Sequence, residues 1–367
     1  MEKLAEVRIP GTTTDLSGLS GMLETNTPID ALGGFSALDY TGQGNRYVVL
    51  SDRGAGDGAA SFPCRYHEFD LKWDAASRSL SFQLVATHRL SNAQGQPLTG
   101  SLESLKPWRG SERPTSYDPE GIRWLGEGRV LISDEYGPFI DTFDRNGNLQ
   151  SSVTVPDAFG LSDRREPPLV FGTFPNRGLE GIAVTPGNKT IVAAMQGPLV
   201  QDGRIENNKC YGLWTRWLVL PNAADKEVPS RQVIYPLDHV STGVSEVLAI
   251  DEHRFLVLER DSNAGIEAKF KNIYLADLRD ASDVSSVSSL RDGLPAGTRP
   301  AAKRLLIDLL APAFGLSGEK APEKPEGLAW GPRLADGRRL LMVCFDNDFD
   351  PARESIFVAF AIAGLDR

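Results

Sequence analysis

DPEGIRWLGEGRVLISD, residues 118–134, sets an acid, a short apolar run, a Gly-rich turn, a second apolar run and another acid in succession. Ile122 to Leu125 and Val130 to Ile132 are short and β-prone, and Gly126-Glu127-Gly128-Arg129 supplies turn chemistry between them. The pair reads as a β-hairpin. Folding it symmetrically about Glu127 sets Glu120 opposite Asp134, so two carboxylates meet at its open end.

The same device recurs, and a recurring unit decides a fold before any single element does. Glu180-Gly181-Ile182-Ala183-Val184 turns at Pro186-Gly187-Asn188 into Ile191 to Met195. Glu246-Val247-Leu248-Ala249-Ile250 turns at Asp251-Glu252-His253 into Phe255 to Glu259. Glu326-Gly327-Leu328-Ala329-Trp330 turns near Asp336-Gly337 into Leu340 to Asp346. A fifth copy carries Ser36 in place of the Glu and runs through Gly42-Gln43-Gly44-Asn45 to Asp52. Symmetric pairing sets Ser36 against Asp52, Glu180 against Met195, Glu246 against Glu259 and Glu326 against Asp346.

Each unit is followed by further strand-like runs: 66–71 and 80–90, 139–143 and 149–155, 213–220 and 231–237, 273–278 and 303–310. The Ser-rich insertion between the last two is helix-compatible. The last unit has only 355–362 before the chain stops, one strand short, while residues 3–10 form a strand with no local partner. That arithmetic predicts an all-β chain, a β-propeller of four-stranded antiparallel blades whose N-terminal strand completes the last blade and closes the ring. Closure also removes exposed strand edges. The motifs account for five blades; six would require a further irregular blade within 91–117 or 279–325. No linker separates the repeats, so residues 1–367 read as a single propeller domain.

Composition agrees. Charged residues make up 24% of 367 and mean hydropathy is −0.25, values of a globular chain rather than a disordered one. Gly 36 and Pro 24 suit many short strands joined by turns. With 49 acidic against 39 basic side chains the net charge of −10 repels phosphate backbones, which excludes nucleic acid as a partner. No apolar run approaches the ~18 residues that span a bilayer, and a monomer without membrane insertion is expected. MEKLAEVRIPG at the N-terminus lacks the apolar stretch of a signal peptide. Cys64, Cys210 and Cys344 form no metal pattern. Cys344 reads as a buried apolar residue, while Cys64 and Cys210, in turn-rich stretches, are candidates for a bridge in an oxidising compartment.

In a propeller the innermost strand of each blade lines the central channel, and the second runs back beside it. The acids that start one and end the other then share a rim. Glu120, Glu180, Glu246 and Glu326 gather around the axis, with Asp52, Asp134, Glu259 and Asp346 just outside. Either the glutamates are strand-starting polar residues bonded to backbone, or they bind a hard cation, because so many carboxylates at close range do not all ionise unaided. Ca²⁺, which takes six to eight oxygen ligands, suits Glu120, Glu180, Glu246, Glu326 and Glu259. A thiolate or imidazole site does not fit, since His67, His88, His239 and His253 fall outside the repeated positions. Arg53, Arg260 and Arg177 stand beside the acids, either as charge partners or as forks for a substrate anion. Gln196 and Asn347 offer neutral ligands, and Tyr136 is either a packed ring, a lid over the rim or a proton donor. Serine-hydrolase elbows, H-E-x-x-H and phosphate-binding loops are absent from the sequence.

These strings in this order, GGFSALDY…YVVLSDRG, DPEGIRW…LISDEYGPFIDTFDRNGNL, PNRGLEGIAV, YPLD…VSEVLAI…FLVLERDS and KPEGLAW…FDND, resemble the phytase-like family with esterase-like activity. The resemblance covers nearly the whole chain. It implies a bacterial propeller, exported to the periplasm or secreted, that hydrolyses phosphoester or ester bonds. Ser36 and Met195 depart from the acidic pattern.

The expected function is a Ca²⁺-dependent hydrolase of phosphoric esters holding one or two ions. Asp134 or Asp346 would serve as base, Asp52 would stand beside them, and Arg53 and Arg260 would grip anionic oxygens. A metal-dependent lactonase or carboxylester hydrolase, and a non-catalytic propeller that binds a cation or small ligand, are the alternatives.

Overall fold

The computed structural model describes residues 1–104, 113–161, 169–222 and 230–365. Five four-stranded antiparallel blades form a five-bladed β-propeller. Blade 1 is β2 (Phe35–Tyr40), β3 (Arg46–Ser51), β4 (Arg65–Asp74) and β5 (Ser79–Arg89). Blade 2 is β6 (Pro119–Gly126), β7 (Arg129–Asp134), β8 (Phe139–Phe143) and β9 (Leu149–Val153). Blade 3 is β10 (Leu179–Val184), β11 (Thr190–Met195), β14 (Trp214–Pro221) and β15 (Arg231–Pro236), interrupted by a hairpin of β12 (Arg204–Glu206) and β13 (Lys209–Tyr211). Blade 4 is β16 (Gly243–Ala249), β17 (Arg254–Arg260), β18 (Lys271–Asp277) and β19 (Ala302–Asp308). In blade 5, β20 (Lys324–Arg333), β21 (Arg339–Asp346) and β22 (Glu354–Ile362) are completed by β1 (Glu2–Pro10), which pairs antiparallel with β22.

Ring closure is visible in the packing. The inner strands touch in turn, β2 on β6, β6 on β10, β10 on β16, β16 on β20, and β20 back on β2. Alternation along each strand sends successive side chains to opposite faces, and each face packs on a different neighbour. In β11, Val192 and Ala194 join the core shared with blade 4, whereas Ile191, Ala193 and Met195 join the core shared with blade 2. The three remaining junctions have their own apolar clusters, built around Leu256 and Val343, Phe69 and Phe357, and Val48 and Ile132. Burying both faces of every blade leaves no room for a sixth.

Several local expectations change. The Ser-rich insertion after β18 forms turns rather than a helix, and Val284 and Leu290 pack on Ile234 of blade 3. The described residues of the stretch 91–117 contribute isolated bridges, such as Thr99 with Ser116, and a short 3-10 turn at Leu102–Ser104; residues 105–112, Pro107 among them, lie outside the described residues. The β12–β13 hairpin was not foreseen, although Asn207-Asn208, both with positive φ, carry the signature of a two-residue hairpin turn. Cys64, Cys210 and Cys344 are all buried and unbridged. Cys64 and Cys344 fill interblade cores.

Candidate functional site

Every inner strand carries a one-residue irregularity at its start. The register slips between Phe35 and Ala37, Pro119 and Gly121, Leu179 and Ile182, Val244 and Glu246, and Pro325 and Gly327. A bulge leaves one residue unpaired and re-aims its side chain. The re-aimed residues are Ser36, Glu120, Glu180, Ser245 and Glu326, and all five line one cavity at the channel mouth, of about 610 Å³.

The bulge also shifts the second strand by one position. Pro119, not Glu120, lies opposite Asp134, and Val244 lies opposite Glu259. The residues that reach the mouth from the second strands are therefore Asp52, Glu135, Gln196, Arg260 and Asp346.

Three expected placements are corrected by this slip. Glu246 occupies the position held by Gly121, Gly181 and Gly327 in other blades, where inner strands nearly touch. A Cβ on Gly181 would stand 2.4 Å from the Val247 nitrogen, and one on Gly121 2.8 Å from the Glu180 carbonyl. Glu246 is fully buried and pairs with Arg123 at 2.8 Å, away from the mouth. Arg123 also donates to the carbonyls of Leu38 at 3.0 Å and Val247 at 2.7 Å, tying blades 1, 2 and 4 together beneath the cavity. Burial pushes Glu246 up to about 8 in spite of Arg123. Glu259 sits behind the mouth, accepting from Tyr235, the Asp238 amide, Thr242 and Lys303. Asp134 is likewise buried, with one oxygen on the Asp118 amide at 2.7 Å and the other on the Gly137 amide at 2.5 Å.

Glu120, Glu180, Glu326, Asp52, Asp346, Arg53 and Arg260 do converge on the cavity. Sequence reasoning missed Asp118 and Glu135. One carboxylate oxygen each from Asp118, Glu120 and Glu135 lie within 4.8 Å of one another. Arg53 draws two of them in: its guanidinium pairs with Asp118, approaches Glu135 at 3.5 Å, and reaches Asp57 at 3.0 Å. Glu135 also accepts the Gly178 amide at 2.8 Å. Among the described residues, Glu120 has neither a hydrogen bond nor an ion pair. Burial, then the charges of Glu180, Asp118 and Glu135, push its carboxyl well above the usual range.

Across the mouth, Glu180 accepts from Gln196, and Glu326 pairs with Arg260. Burial followed by the charge of Glu135 raises Glu180 well above the usual range. Burial raises Asp346 to about 7, with Lys324 at 3.7 Å opposing the shift. Asp52 is raised too, by burial and then by Asp346. Two other expected groups are structural. Asn347 accepts from the Gly34 amide at 3.1 Å, and Tyr136, buried, donates to the Gly100 carbonyl.

An all-oxygen donor set with an unpartnered carboxylate at its centre and no imidazole or thiolate in its lining fits a hard divalent cation. A cation would offset the burial and the neighbouring negative charge that raise Glu120 and Glu135.

A family model described as phytase-like, "esterase-like activity of phytase", matches residues 30–349. An uncharacterized secreted protein of Arthroderma benhamiae is 26% identical over 190 residues, 43% of this chain and 37% of that protein. The aligned region is thus well under half of the relative's length. Among solved structures, an α-L-arabinofuranosidase of Podospora anserina is 10% identical with a TM-score of 0.42, covering 98% of this chain and 97% of that one. The tail fibre of Staphylococcus aureus phage P68 is 11% identical with a TM-score of 0.39, covering 90% and 50%. No helix among the described residues is long and apolar enough to cross a membrane.

Proposed function

The chain belongs to the phytase-like family with esterase-like activity, which places it among hydrolases, and on that premise we propose a Ca²⁺-dependent hydrolase of phosphoric esters. The observation that carries the proposal is Glu120, a carboxylate without a partner among the described residues, set beside Asp118 and Glu135 at the channel mouth. Asp118, Glu120 and Glu135 would hold the ion, with Glu180 next to them. Bound there, Ca²⁺ supplies Lewis acidity toward a phosphoryl oxygen and its attacking water.

The remaining roles belong to the chain's own groups. Asp346, raised to about 7, loses its proton near neutrality and is placed to take one from water, with Asp52 beside it. Asp134 holds the Asp118 backbone and so positions a ligand rather than moving protons. Arg53 keeps Asp118 and Glu135 together, and Arg260 orients Glu326 while facing the cavity, where both offset anionic charge.

The family's esterase-like description favours a second reading, a metal-dependent carboxylester or lactone hydrolase using the same residues. Turnover of an aryl phosphate diester, an aryl acetate and a lactone, each with Ca²⁺ and with chelator, separates the two. Chelator-sensitive hydrolysis of the phosphate substrate alone supports the first reading, and hydrolysis of the ester or lactone alone replaces it. Full activity after exhaustive chelation removes both. Export to the periplasm or the medium is part of the proposal, supported by the secreted relative.

A further inference from the structure

A second cavity, of about 430 Å³, opens at the end of the propeller opposite the mouth, on the seam where the ring closes. The β2–β3 turn contributes Asn45, the β4–β5 turn Arg78, the β20–β21 turn Leu334 and Arg338, and β1 its Glu2 and Leu4. The mouth acids sit at the other ends of the same strands, Asp52 after β3 and Glu326 near the start of β20. Neighbouring junctions are filled at this end. Leu365, whose carbonyl accepts from Arg254 at 3.0 Å, packs between blades 4 and 5, and Leu278 and Ala281 pack between blades 3 and 4. Between blades 5 and 1 the corresponding space is the cavity, and Leu4, Trp73 and Leu334 stay only partly buried.

Its wall is apolar and its rim is charged. Leu71 and Leu340, both buried, join Leu4, Trp73 and Leu334 in the wall. The rim carries three guanidiniums, Arg78, Arg333 and Arg338, against two carboxylates, Glu2 and Asp336, so one positive charge is left over. Arg78 and Arg338 share Glu2 at 3.1 and 2.9 Å, and Arg338 also pairs with Asp336 at 2.7 Å. The Arg78–Glu2 pair is well exposed, and such pairs are weak enough to yield to another carboxylate. Among the described residues Arg78 is also the one basic side chain on a backbone of positive φ, at 50° in a turn where glycine or asparagine is the unstrained choice. Its guanidinium thus reaches the rim at a backbone cost. An apolar wall beneath a surplus guanidinium matches a molecule with an apolar body and an anionic head.

We propose that this cavity binds a small amphipathic carboxylate, a short alkyl or aryl acid whose tail lies on Trp73, Leu334 and Leu340 and whose head meets Arg78 and Arg338. Glu2 and Leu4 belong to the closing strand β1, whereas Trp73 and Arg78 belong to blade 1. The bound acid therefore touches both sides of the seam and favours the closed ring, which raises the melting temperature. This site lies at the far end of the channel from the acids of the mouth, and its test involves no turnover, so it stands or falls apart from the hydrolase reading.

The test is calorimetric titration of octanoate into the full chain in chelator, so that no cation at the mouth contributes, with 1-octanol and acetate as tail-only and head-only controls. Octanoate binds the wild type and raises its Tm, and each control binds at least about fivefold more weakly. Arg78→Gln, an exposed change, weakens octanoate about threefold and leaves 1-octanol within about twofold. Leu334→Asp, in the β20–β21 turn, weakens both at least about threefold. If Leu334→Asp fails to fold, judged by its near-ultraviolet dichroism, Arg78→Gln decides alone. No octanoate uptake by the wild type, an unchanged dissociation constant in folded Arg78→Gln, or 1-octanol bound as tightly as octanoate overturns the site. A chain that is dimeric by light scattering and monomeric as Leu334→Asp also overturns it, because the cavity then receives a second copy.

Discussion

Arg260 donates from Nε to the Ser245 hydroxyl at 2.9 Å, and this contact identifies Ser245, not Glu246, as the blade 4 member of the inner ring. The same guanidinium pairs with Glu326 in the next blade, so a cation occupies a place where blades 1, 2 and 5 present an acid and blade 3 presents Gln196. The ring is consequently lopsided: among the described residues Glu326 has Arg260 and Glu180 has Gln196, whereas Glu120 of blade 2 has no partner.

That lopsidedness separates two glutamates that look alike in sequence. Glu120→Gln is expected to weaken Ca²⁺ binding at least tenfold, about 1.4 kcal/mol, since it removes a charged ligand with no other partner among the described residues. Glu246→Gln, buried beneath the cavity, leaves the Ca²⁺ dissociation constant within about twofold. Isothermal calorimetry on both variants checks the contrast; equal losses would return Glu246 to the ring.

Glu246 reports instead on stability. Its carboxyl is raised from an ordinary 4.5 to about 8 in the folded chain, so between those values the native state binds a proton that the unfolded state has released. Stability therefore falls as pH rises through that window, by at most about 1.4 kcal/mol per pH unit for one proton. Urea unfolding from pH 5 to pH 8 is expected to show this slope reduced in Glu246→Gln relative to wild type. Parallel curves would mean that the buried pair stays ionised throughout.

Arg123 carries the other half of that pair. Arg123→Leu strips the partner from Glu246 and releases the carbonyls of Leu38 and Val247, which costs about 3–5 kcal/mol of folding stability. The loss is larger at pH 9 than at pH 6, because at the lower pH Glu246 carries its own proton. A variant as stable as wild type at pH 9 would show that this contact under the cavity is dispensable.

Metal-free protein has a further signature. The carboxyls of Asp52, Glu120, Glu180 and Asp346 are all raised in the fold, so the chelated chain loses stability as pH rises from 5 to 8 and Ca²⁺ restores it. The gain in Tm on adding Ca²⁺ should thus be greater at pH 8 than at pH 5. A gain independent of pH would mean that the ion is bound away from these groups.

The blade repeat was readable because E-G-[IL] followed by a turn and a second apolar run recurs at every inner hairpin but the first, where Ser36 stands in, and the fourth, where Glu246 precedes Val247. Strand closure followed from counting, and β1 pairs with β22 as the count demanded. What symmetric folding of a hairpin cannot show is a bulge, since the extra residue alters no local pattern. It was harmless for Asp52 and Asp346, the acids preceded by Ser51 and Phe345. It misled at Asp134-Glu135 and Glu259-Arg260, where charged neighbours make the slip invisible. Ser36 was the available clue: a serine in one copy signals that Ser245 is an equally good occupant of the position. Arg177 lines the mouth beside the acids, as read, whereas the cavity between blades 1 and 5 depends on tertiary packing that no local pattern encodes.

The most direct test of the central claim is anomalous diffraction from crystals grown with Ca²⁺, together with elemental analysis of the same preparation. A peak at the channel mouth, coordinated by Asp118, Glu120 and Glu135 and absent in Glu120→Gln, is the predicted result. A mouth free of anomalous density at saturating Ca²⁺, or an ion held elsewhere in the chain, would contradict the account.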